Sequence, residues 1–493
     1  MAPHFFNTLS GRTEEFQPLH DNEVRMYACG PTVYDYGHIG NFRTFVFVDL
    51  LRRYLKQHYR LHHVMNITDV DDKIIRNSAK AGVSINEYTK KYQQAFLEDA
   101  DALNIERPEI VRATEHIDEM AKFIQELVDK DFAYRTEDGS YYFRIAKFPE
   151  YGKLSKKDFA GIENGARVDV DEYEKDNARD FALWKAPKPG EHFWETAIGP
   201  GRPGWHIECS VMSMGALGET LDIHTGGEDL IFPHHENEIA QSEAATGKPF
   251  VRFWIHARFL LVEGEKMSKS LGNFYTLRDL VLMGHKPSSI RYLLSSVPYR
   301  KQLNFTFDGL TQAANAVERL RNFKRRLELE QREPGANETM RKLAEETIAG
   351  IDAALADDMN TAQALAAVFD MVRDANNAAD KGELKQNDVA PLLKALERFD
   401  AIFAVMTDDD AQKVRKTLQW AEAEGLAEKI SPQAREIAAA AGTSDAQIDS
   451  LVAEMLEARK ARNFSRGDEI RAQLNHMGII VEVTKDGARW RRK

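Results

Sequence analysis

The segment from Val24 to Ile67 constrains the fold of this chain more than any other part of the sequence. Val24 to Ala28 is a short apolar run that predicts a strand, and a glycine-bearing turn follows it. Asn41 to Tyr54 predicts a helix whose large apolar side chains share one face, and Leu61 to Ile67 predicts a second strand. A strand, a turn, a helix and a strand in this order are typical of a βαβ unit. We therefore expect a parallel sheet.

The rest of the chain changes its pattern several times. The predicted segments are a helical stretch at 86–134, an insertion of short strands and turns at 135–200, strands near Leu221–Ile223 and Phe253–Ile255, helices from Phe307 to about Ala439, a hinge at 440–444, two short helices and the strand Ile479–Val483. We predict an α/β fold: a Rossmann-type parallel-sheet domain with an insertion, then an α-helical bundle and a small mixed C-terminal module. The predicted domains are 1–250 with the insertion at about 135–200, 251–308, 309–440 and 444–493.

Composition limits the class of protein. The chain has two cysteines in 493 residues, which is too few for a disulfide framework, so we expect a reducing, cytoplasmic location. No apolar run approaches eighteen residues, so no membrane span is expected, and the N-terminus does not resemble a signal peptide. The net charge of −12 argues against indiscriminate nucleic-acid binding. Residues 451–493, however, carry ten Lys and Arg against six Asp and Glu, which favours a partner that is bound locally.

The two cysteines are both placed where a metal ligand would be useful. Cys29 follows the first predicted strand, and Cys209 lies 180 positions further along. His234 and Glu238 are four residues apart in a segment that predicts the opening of a helix, so they project from one face. Two thiolates, an imidazole and a carboxylate make a four-ligand zinc site. Spacing alone leaves open a second interpretation, two buried free cysteines and an ordinary polar helix.

The turn after the first strand is a candidate phosphate site. It runs Pro31-Thr32-Val33-Tyr34-Asp35-Tyr36-Gly37-His38-Ile39-Gly40-Asn41. Backbone N–H groups and the helix dipole favour a phosphate at such a position. Gly40 permits the close approach of a nucleotide base, and His38 can donate to a phosphate oxygen. A glycine-rich connection with one surface histidine explains the same residues equally well.

A second loop carries two lysines three residues apart. Its sequence is Gly264-Glu265-Lys266-Met267-Ser268-Lys269-Ser270-Leu271-Gly272-Asn273. Small residues and glycines around Lys266 and Lys269 predict a flexible cationic loop. Such a loop can close over a triphosphate and neutralise the charge that builds on departing pyrophosphate. A lysine-rich surface turn is the ordinary alternative.

The two loops together resemble the paired signatures of class I aminoacyl-tRNA synthetases, normally His-Ile-Gly-His and Lys-Met-Ser-Lys-Ser. Four further segments narrow the resemblance to the cysteinyl-tRNA synthetase family, and the match extends over essentially the whole chain. These segments are Cys29-Gly30-Pro31-Thr32-Val33-Tyr34-Asp35, Asn66-Ile67-Thr68-Asp69-Val70-Asp71-Asp72-Lys73, Gly201-Arg202-Pro203-Gly204-Trp205-His206-Ile207-Glu208-Cys209-Ser210 and Phe232-Pro233-His234-His235-Glu236-Asn237-Glu238. The chain departs from the usual pattern at Asn41, where the family usually has His, and at Gly37, where many members carry another residue.

The resemblance implies ATP-dependent activation of L-cysteine to cysteinyl-adenylate and transfer to the 3′ end of cysteine tRNA. It implies one Zn²⁺ per chain, held by Cys29, Cys209, His234 and Glu238, and Mg²⁺ that accompanies ATP. The catalytic candidates are His38, Asn41, Lys266 and Lys269. The ATP-binding candidates add Thr32, Gly40 and Ser268 to these four.

The same resemblance suggests residues for the other substrates. The amino-acid pocket candidates are Thr68, Trp205, His206, His224 and Asp229, for which core packing or orientation of a metal ligand is the alternative. The predicted tRNA contacts are Arg462, Arg466, Arg489 and Trp490, because arginines beside an aromatic suit unpaired bases. The basic run from Arg319 to Arg326 is either a further tRNA contact or a solvated helix face. Family members of this type are usually monomers, so we expect a monomer.

Two other functions are compatible with parts of this pattern. A ligase that joins cysteine to an amino sugar in mycothiol synthesis shares the cysteine-activating half, but such ligases lack the long C-terminal region present here. A non-catalytic RNA-binding paralogue is suggested by Asn41. The intact Lys266-Met267-Ser268-Lys269-Ser270 loop and the four metal ligands argue against that paralogue.

Overall fold

The computed structural model of the protein describes residues 2–157, 167–168, 180–484 and 487–492. The first elements are β1 (His4–Asn7), β2 (Arg12–Glu15), β3 (Glu23–Ala28), α1 (Ile39–His58), β4 (Arg60–Ile67), α2 (Asp72–Ala81), α3 (Ile85–Ala102), β5 (Glu109–Arg112) and α4 (Ile117–Asp129). The middle elements are β6 (Ala133–Arg135), β7 (Tyr141–Phe143), β8 (Arg167–Val168), β9 (Asp180–Lys185), β10 (Arg202–Pro203), α5 (Trp205–Leu217), β11 (Leu221–Gly227), α6 (Glu236–Thr246) and β12 (Val251–Ala257).

The C-terminal half is mostly helical. Its elements are β13 (Leu260–Val262), β14 (Glu265–Lys266), α7 (Leu277–Leu282), α8 (Pro287–Ser295), β15 (Leu303–Phe305), α9 (Phe307–Leu329), α10 (Glu338–Ala356), α11 (Thr361–Asp380), α12 (Val389–Phe403), α13 (Asp410–Ala423), α14 (Pro432–Ala439), α15 (Asp445–Lys460), α16 (Phe464–His476), β16 (Ile479–Thr484) and β17 (Gly487–Arg492). Among the residues described, no helix is both long and apolar enough to cross a membrane.

The central sheet is parallel, as the sequence predicted. Its strand order is β12-β11-β3-β4-β5, and every neighbouring pair runs in the same direction. The chain leaves β3 for β4 on one side and returns to β11 on the other, so the connections diverge between β3 and β11. Ligands of such sheets bind beyond the carboxyl ends of the strands at this point of divergence. A ligand site is therefore expected at the residues that follow β3 and β11.

Alternation along β3 determines which way its side chains point. Met26 and Ala28 pack into the apolar core shared with α1 and the helical bundle. Tyr27 and Cys29 pack into a second core, which contains residues of α5 and α6. The period of two therefore directs the Cys29 thiol toward the helices that carry Cys209 and Glu238.

One prediction of local structure was wrong. The stretch 86–134 is not continuously helical, because β5 (Glu109–Arg112) pairs with β4 at the edge of the sheet. A four-residue strand after Pro108 is too short for its periodicity to be recognised. The helix predicted to open near Pro233 is confirmed: a wide π-helical turn, Ile231–His235, leads directly into α6 at Glu236, and within this turn Phe232 has an extended conformation.

The predicted insertion contains a small sheet of its own. Strands β10, β9, β7 and β6 are adjacent in that order and antiparallel, and β8 pairs with β9 in parallel. Residues 158–166 and 169–179 of the predicted insertion lie outside the described part of the chain.

The helices α9–α14 and the last module have separate cores. Residues of α15, α16 and β16 form a small apolar cluster with Ile448, Ile470 and Ile479 at its centre. In α9, Arg321 is 2% exposed and pairs with Asp410 at 2.8 Å. Arg321 therefore belongs to neither a solvated face nor an accessible tRNA surface, and it serves the packing of the bundle.

Candidate metal and nucleotide site

Four buried side chains meet beyond the carboxyl end of β3. Their ligand atoms all lie within 4.8 Å of one another, and the four residues are Cys29, Cys209, His234 and Glu238. Cys29 directly follows β3, Cys209 is in the first half of α5, and Glu238 is in the first turn of α6. The structure thus brings together the four predicted metal ligands from distant parts of the sequence.

The distances within this cluster suit a tetrahedral ion. The sulfur atoms of Cys29 and Cys209 are 3.8 Å apart, and Cys29 Sγ is 3.8 Å from Glu238 Oε1. Zinc–sulfur bonds of about 2.3 Å at tetrahedral angles place two sulfurs roughly 3.8 Å apart. His234 Nε2 is 3.0 Å from Glu238 Oε1. The donor set therefore fits zinc in both chemistry and spacing.

The charges of the cluster depend strongly on its burial. Burial opposes ionisation of Glu238, but His224 and His234 outweigh it and lower the pKa of that carboxyl to about 2. Burial also opposes the cation of His234, yet Glu238 and Cys209 raise its pKa to about 10. The pKa of Cys29 is raised, first by burial and then by Cys209. Burial raises the pKa of Cys209 as well, but its contacts with Cys29 and His234 bring it down to about 6.

Neighbouring histidines orient two of the ligands. His224 Nε2 is 2.8 Å from Glu238 Oε2, so that oxygen is engaged and Oε1 faces Cys29 and His234. His206 Nδ1 is 3.1 Å from His234 Nδ1. Burial and His234 keep the pKa of His206 low, so His206 is neutral and accepts this hydrogen bond. With Nδ1 directed to His206, Nε2 of His234 faces the other ligands, 3.0 Å from Glu238 Oε1, where a metal would replace its proton.

Sequence reasoning missed two further histidines. His235 Nε2 lies 3.3 Å from Cys29 Sγ, and its Nδ1 lies 2.8 Å from His256 Nε2. Cys29, His224, His235 and Glu238 form a second group that could hold a metal ion. On a regular helix His235 would point away from His234, but the wide turn before α6 lets both rings reach the site. The pairing of adjacent histidines was the only signal in the sequence.

The amino-acid pocket candidates differ in their distance from this cluster. Trp205 stacks on His234, with ring centroids 4.2 Å apart. Thr68 is buried, and its hydroxyl group donates to Glu208 Oε2 at 2.9 Å. Since Glu208 is part of α5, Thr68 packs against that helix. Asp229 is exposed in the turn after β11, and a Cβ on Gly227 would come 2.4 Å from its Oδ1. Two metal ligands are contacted by these candidates: His234 by Trp205 and His206, and Glu238 by His224. Neither Thr68 nor Asp229 is a member of a metal-binding group.

The predicted phosphate turn ends in a reciprocal helix cap. His38 Nδ1 accepts the backbone N–H of Asn41, and Asn41 Oδ1 accepts the backbone N–H of His38, both at 3.2 Å. His38 Nε2 therefore carries the ring proton as long as the ring is neutral. Burial, with a contribution from Lys269, lowers the pKa of His38 to about 4. At neutral pH this turn presents a neutral N–H donor and not a cation.

The lysine loop lies against this turn. Ile39 N donates to Tyr275 O at 3.0 Å, and the rings of His38 and Phe274 are 5.1 Å apart. A Cβ on Gly40 would come 3.1 Å from Met267 Cε, so glycine permits this close approach. Lys269 Nζ is 2.9 Å from Asp35 Oδ2 and 5.0 Å from the centre of the Phe274 ring.

Within the loop, Asn273 holds both ends together. Its Oδ1 accepts from Ser268 N at 2.8 Å, and its Nδ2 donates to Lys266 O at 3.2 Å. Lys266 is exposed, and among the described residues no ion pair to it is found. Thr32 forms a bridge with Thr68 beside the same turn. The structure therefore brings the candidate ATP residues to one edge of the sheet.

The predicted tRNA-binding residues lie in the last module and make contacts within the chain. Arg466 pairs with Glu454 at 2.7 Å, and Arg489 pairs with Glu330, which follows the end of α9. The Trp490 ring lies 4.9 Å from the Arg325 guanidinium, and its Nε1 donates to Asp449. Arg462 is exposed, with a φ of 59° after the end of α15. None of these residues belongs to a metal-binding group.

Comparison with known proteins adds to this geometry. The family model described as "tRNA synthetases class I (C) catalytic domain" matches residues 15–315, and a "DALR domain" model matches residues 351–407. The chain is 70% identical over 495 residues to the cysteine–tRNA ligase of Koribacter versatilis (strain Ellin345), and it is 58% identical over 498 residues to that of Solibacter usitatus (strain Ellin6076). Each of these alignments covers 100% of both chains.

A solved structure supports the same fold at low sequence identity. The methionyl-tRNA synthetase of Mycobacterium tuberculosis, in complex with methionyl-adenylate, superposes with a TM-score of 0.57 at 16% identity. The superposition covers 86% of this chain and 95% of that enzyme.

Proposed function

We propose, since this chain belongs to the cysteine–tRNA ligase family of class I aminoacyl-tRNA synthetases, that it activates L-cysteine with ATP and transfers it to the 3′ end of cysteine tRNA. One observation carries this proposal. The Cys29–Cys209–His234–Glu238 cluster and the His38 turn both begin at the carboxyl end of β3. A thiol-selective site and a triphosphate site are therefore adjacent in the place where such a sheet binds its ligands.

In the first step, the carboxylate of cysteine attacks the α-phosphorus of ATP and pyrophosphate leaves. The substrate is itself the nucleophile, so the protein contributes alignment and stabilisation of charge. His38 Nε2–H donates to a phosphate oxygen as a neutral group, and the Asn41 Nδ2 amide is available for a second bond because only its Oδ1 takes part in the cap. Lys266 and Lys269 neutralise the departing pyrophosphate. Mg²⁺ accompanies the nucleotide without a dedicated protein cage.

Selection of cysteine over serine needs more than shape, because the two differ by one atom. Cys29, Cys209, His234 and Glu238 would hold Zn²⁺, which would supply a Lewis-acidic centre that favours a thiolate over a hydroxyl group. His206 and His224 keep His234 and Glu238 in position for it. Trp205 stacks on His234 and borders the space for the substrate. We assign selectivity to this site and not to an editing domain.

The two metal-binding groups share Cys29 and Glu238 but differ in their other members. The group with Cys209 and His234 offers two sulfurs, whereas the group with His224 and His235 offers only one. The first group is therefore the better zinc site.

In the second step, the aminoacyl group passes to the terminal ribose of the tRNA. We propose that the last module holds the anticodon region through Arg462, Arg466, Arg489 and Trp490. The bound RNA would replace the exposed carboxylate partners of Arg466 and Arg489, since exposed ion pairs are weak. We also propose that the enzyme acts as a cytoplasmic monomer.

Cysteine-dependent ATP–pyrophosphate exchange, followed by charging of cysteine tRNA, tests the two steps separately. Absence of exchange would contradict the proposal, and exchange without charging would favour a ligase with another acceptor. Cys209→Ser should raise the KM for cysteine at least about 100-fold and reduce preference over serine, because a thiolate ligand is lost. Ser213→Ala is the matched control, one turn along α5 and equally buried.

Zinc content distinguishes the two metal-binding groups. His234→Ala should lose bound zinc, whereas His235→Ala should retain most of it. Loss in His235→Ala alone would assign the metal to the second group. If Cys209→Ser unfolds while its native fraction still prefers cysteine, the selectivity role is wrong.

A further inference from the structure

One aromatic side chain of the helical bundle lies against the predicted phosphate turn (residues 31–41), called the nucleotide turn below. The ring of Trp420, in α13, is 5.2 Å from the ring of Tyr36, and the planes are inclined at 72°. Edge-to-face pairs at this separation are favourable beyond the area they bury. Tyr36 lies two residues before His38, and on another side it contacts Tyr92 of α3 at 5.3 Å. The bundle thus supplies one wall of the turn that is proposed to bind ATP.

A buried arginine joins this pair to the segment after the lysine loop. The guanidinium carbon of Arg278 is 4.4 Å from the centre of the Trp420 ring and 5.1 Å from that of Tyr36. Arg278 is 4% exposed, and its Nε donates to Asp99 Oδ1 at 2.7 Å. Asp99 holds one edge of the guanidinium, and the rings of Trp420 and Tyr36 contact its other surfaces.

Two residues of this cluster lie close in sequence to His38 and to Thr276, its partner in a β-bridge. Arg278 lies two residues after Thr276. Thr276 is the N-cap of α7, and its backbone forms an isolated antiparallel β-bridge with that of His38. Tyr36 precedes His38 by the same number of residues. His38 therefore lies between two segments, and the Trp420 ring contacts one residue of each.

We propose that Trp420 is a positioning residue for adenylate formation. Through Tyr36 and Arg278, it would hold His38 and residues 274–276, the segment that follows the lysine loop, in place. This inference rests on the proposed function. It assigns to the helical bundle a part in ATP binding, in addition to any contact of the bundle with tRNA. Neither metal-binding group has a member in this cluster.

The effect of substitution should follow the substrate. Trp420→Ala removes both the edge contact and the cation–π contact, so the KM for ATP in pyrophosphate exchange should rise about 5- to 50-fold. The KM for cysteine should stay within about twofold, since no zinc ligand touches the cluster. Trp420→Phe retains an aromatic face and should recover most of the loss. A merely structural role would not separate the two substrates or respond to phenylalanine in this way.

Leu418→Ala is the matched control for damage to the bundle. Leu418 is buried in the same helix, within the apolar core. Both alanine variants should lower the unfolding midpoint, but only Trp420→Ala should weaken ATP binding. An equal rise in the KM for ATP in Leu418→Ala, or equal rises for ATP and cysteine in Trp420→Ala, would overturn the inference.

A double-mutant cycle tests whether the effect runs through Tyr36. Tyr36→Leu and Trp420→Ala should each weaken ATP binding, and the double variant should lose clearly less than the product of the two single effects. Independent, multiplicative losses would contradict the proposed route. Equilibrium dialysis with a non-hydrolysable ATP analogue gives this result without catalysis. A wild-type protein without exchange activity would contradict the proposed function, while the dialysis would still decide this inference.

Discussion

Lys269 of the lysine loop is paired with Asp35 of the nucleotide turn, with Nζ and Oδ2 2.9 Å apart. Both side chains are substantially exposed, at 68% and 42%. An ion pair in that environment contributes between 0 and about 1 kcal/mol. Asp35 therefore holds Lys269 near His38 without binding it so strongly that a phosphate could not replace it. The same carboxylate also opposes the approach of a triphosphate.

Asp35→Asn should consequently strengthen ATP binding. Removal of one exposed negative charge and of the competing partner should lower the KM for ATP about two- to fivefold. The effect should shrink at 0.5 M salt, because exposed charges are screened. Exchange assays at low and high salt measure it. A higher KM for ATP in the variant would show instead that Asp35 positions Lys269 for catalysis.

The His38 ring should stay neutral far into the acid range. Burial lowers its pKa to about 4, against about 6.5 in an unfolded chain. A histidine with a lowered folded pKa contributes stability that is present above about pH 6.5 and is lost as the pH falls toward 4. NMR titration of labelled histidines, assigned with His38→Gln, measures the pKa directly. A midpoint above 6 would contradict the neutral-donor role, and the imidazolium would then be the group that meets phosphate.

The metal ligands could be predicted from residue types and motif order, but their neighbours could not. His234 and Glu238 share a helical spacing that is visible in the sequence. His235 and His256 reach the cluster only because the chain before α6 forms a wide turn and because β12 adjoins β11. Pairings between strands remote in the sequence leave no local pattern.

Contacts between remote parts of the sequence also explain why the burial of Arg321 and the position of Trp420 could not be predicted. Arg321 belongs to a basic run in the sequence, yet Asp410 partners it from another helix, so its burial was not predictable from charge alone. Trp420 occupies a position in α13 that is typical of a half-buried helix residue. Nothing in the sequence of α13 indicates that its ring contacts Tyr36. The parallel sheet, by contrast, follows from short-range patterns around β3, α1 and β4, and that prediction is confirmed.

Zinc affinity should increase with pH. The pKa of Cys29 is raised by burial, and that of His234 is raised to about 10 by Glu238 and Cys209, so both residues hold a proton near pH 7 when no metal is bound. A metal needs the thiolate and the neutral imidazole, so binding should release about two protons. Calorimetric titration of the metal-free protein in buffers of different ionisation heat counts these protons. Binding without proton release would contradict the ligand set, and Ser213→Ala should behave like the wild type.

Deletion of residues 444–493 should separate the two steps of the reaction. The module contacts the region of α9 through an exposed pair, Arg489 with Glu330, and through buried Arg492, which lies 3.3 Å from Asp408. Its loss should leave pyrophosphate exchange within about twofold, because the exposed pair contributes little to stability and Asp408 retains Arg321 and Arg325 as partners. Charging of cysteine tRNA should fall at least about 10-fold, since the arginine and aromatic contacts to unpaired bases are lost. Equal losses in both assays would contradict the assignment of tRNA binding to this module.

Asn41 should tolerate histidine but not alanine. Its Oδ1 accepts the backbone N–H of His38 in the reciprocal cap, and its amide remains available to a phosphate. Asn41→Ala removes both contacts, and loss of a cap alone costs about 1 kcal/mol, so the KM for ATP should rise about 10-fold. Asn41→His keeps a donor and adds a possible cation, so exchange should stay within about fivefold of wild type. A collapse of exchange in Asn41→His, with an unchanged unfolding midpoint, would show that the reciprocal cap fixes His38 for catalysis and that histidine cannot replace it here.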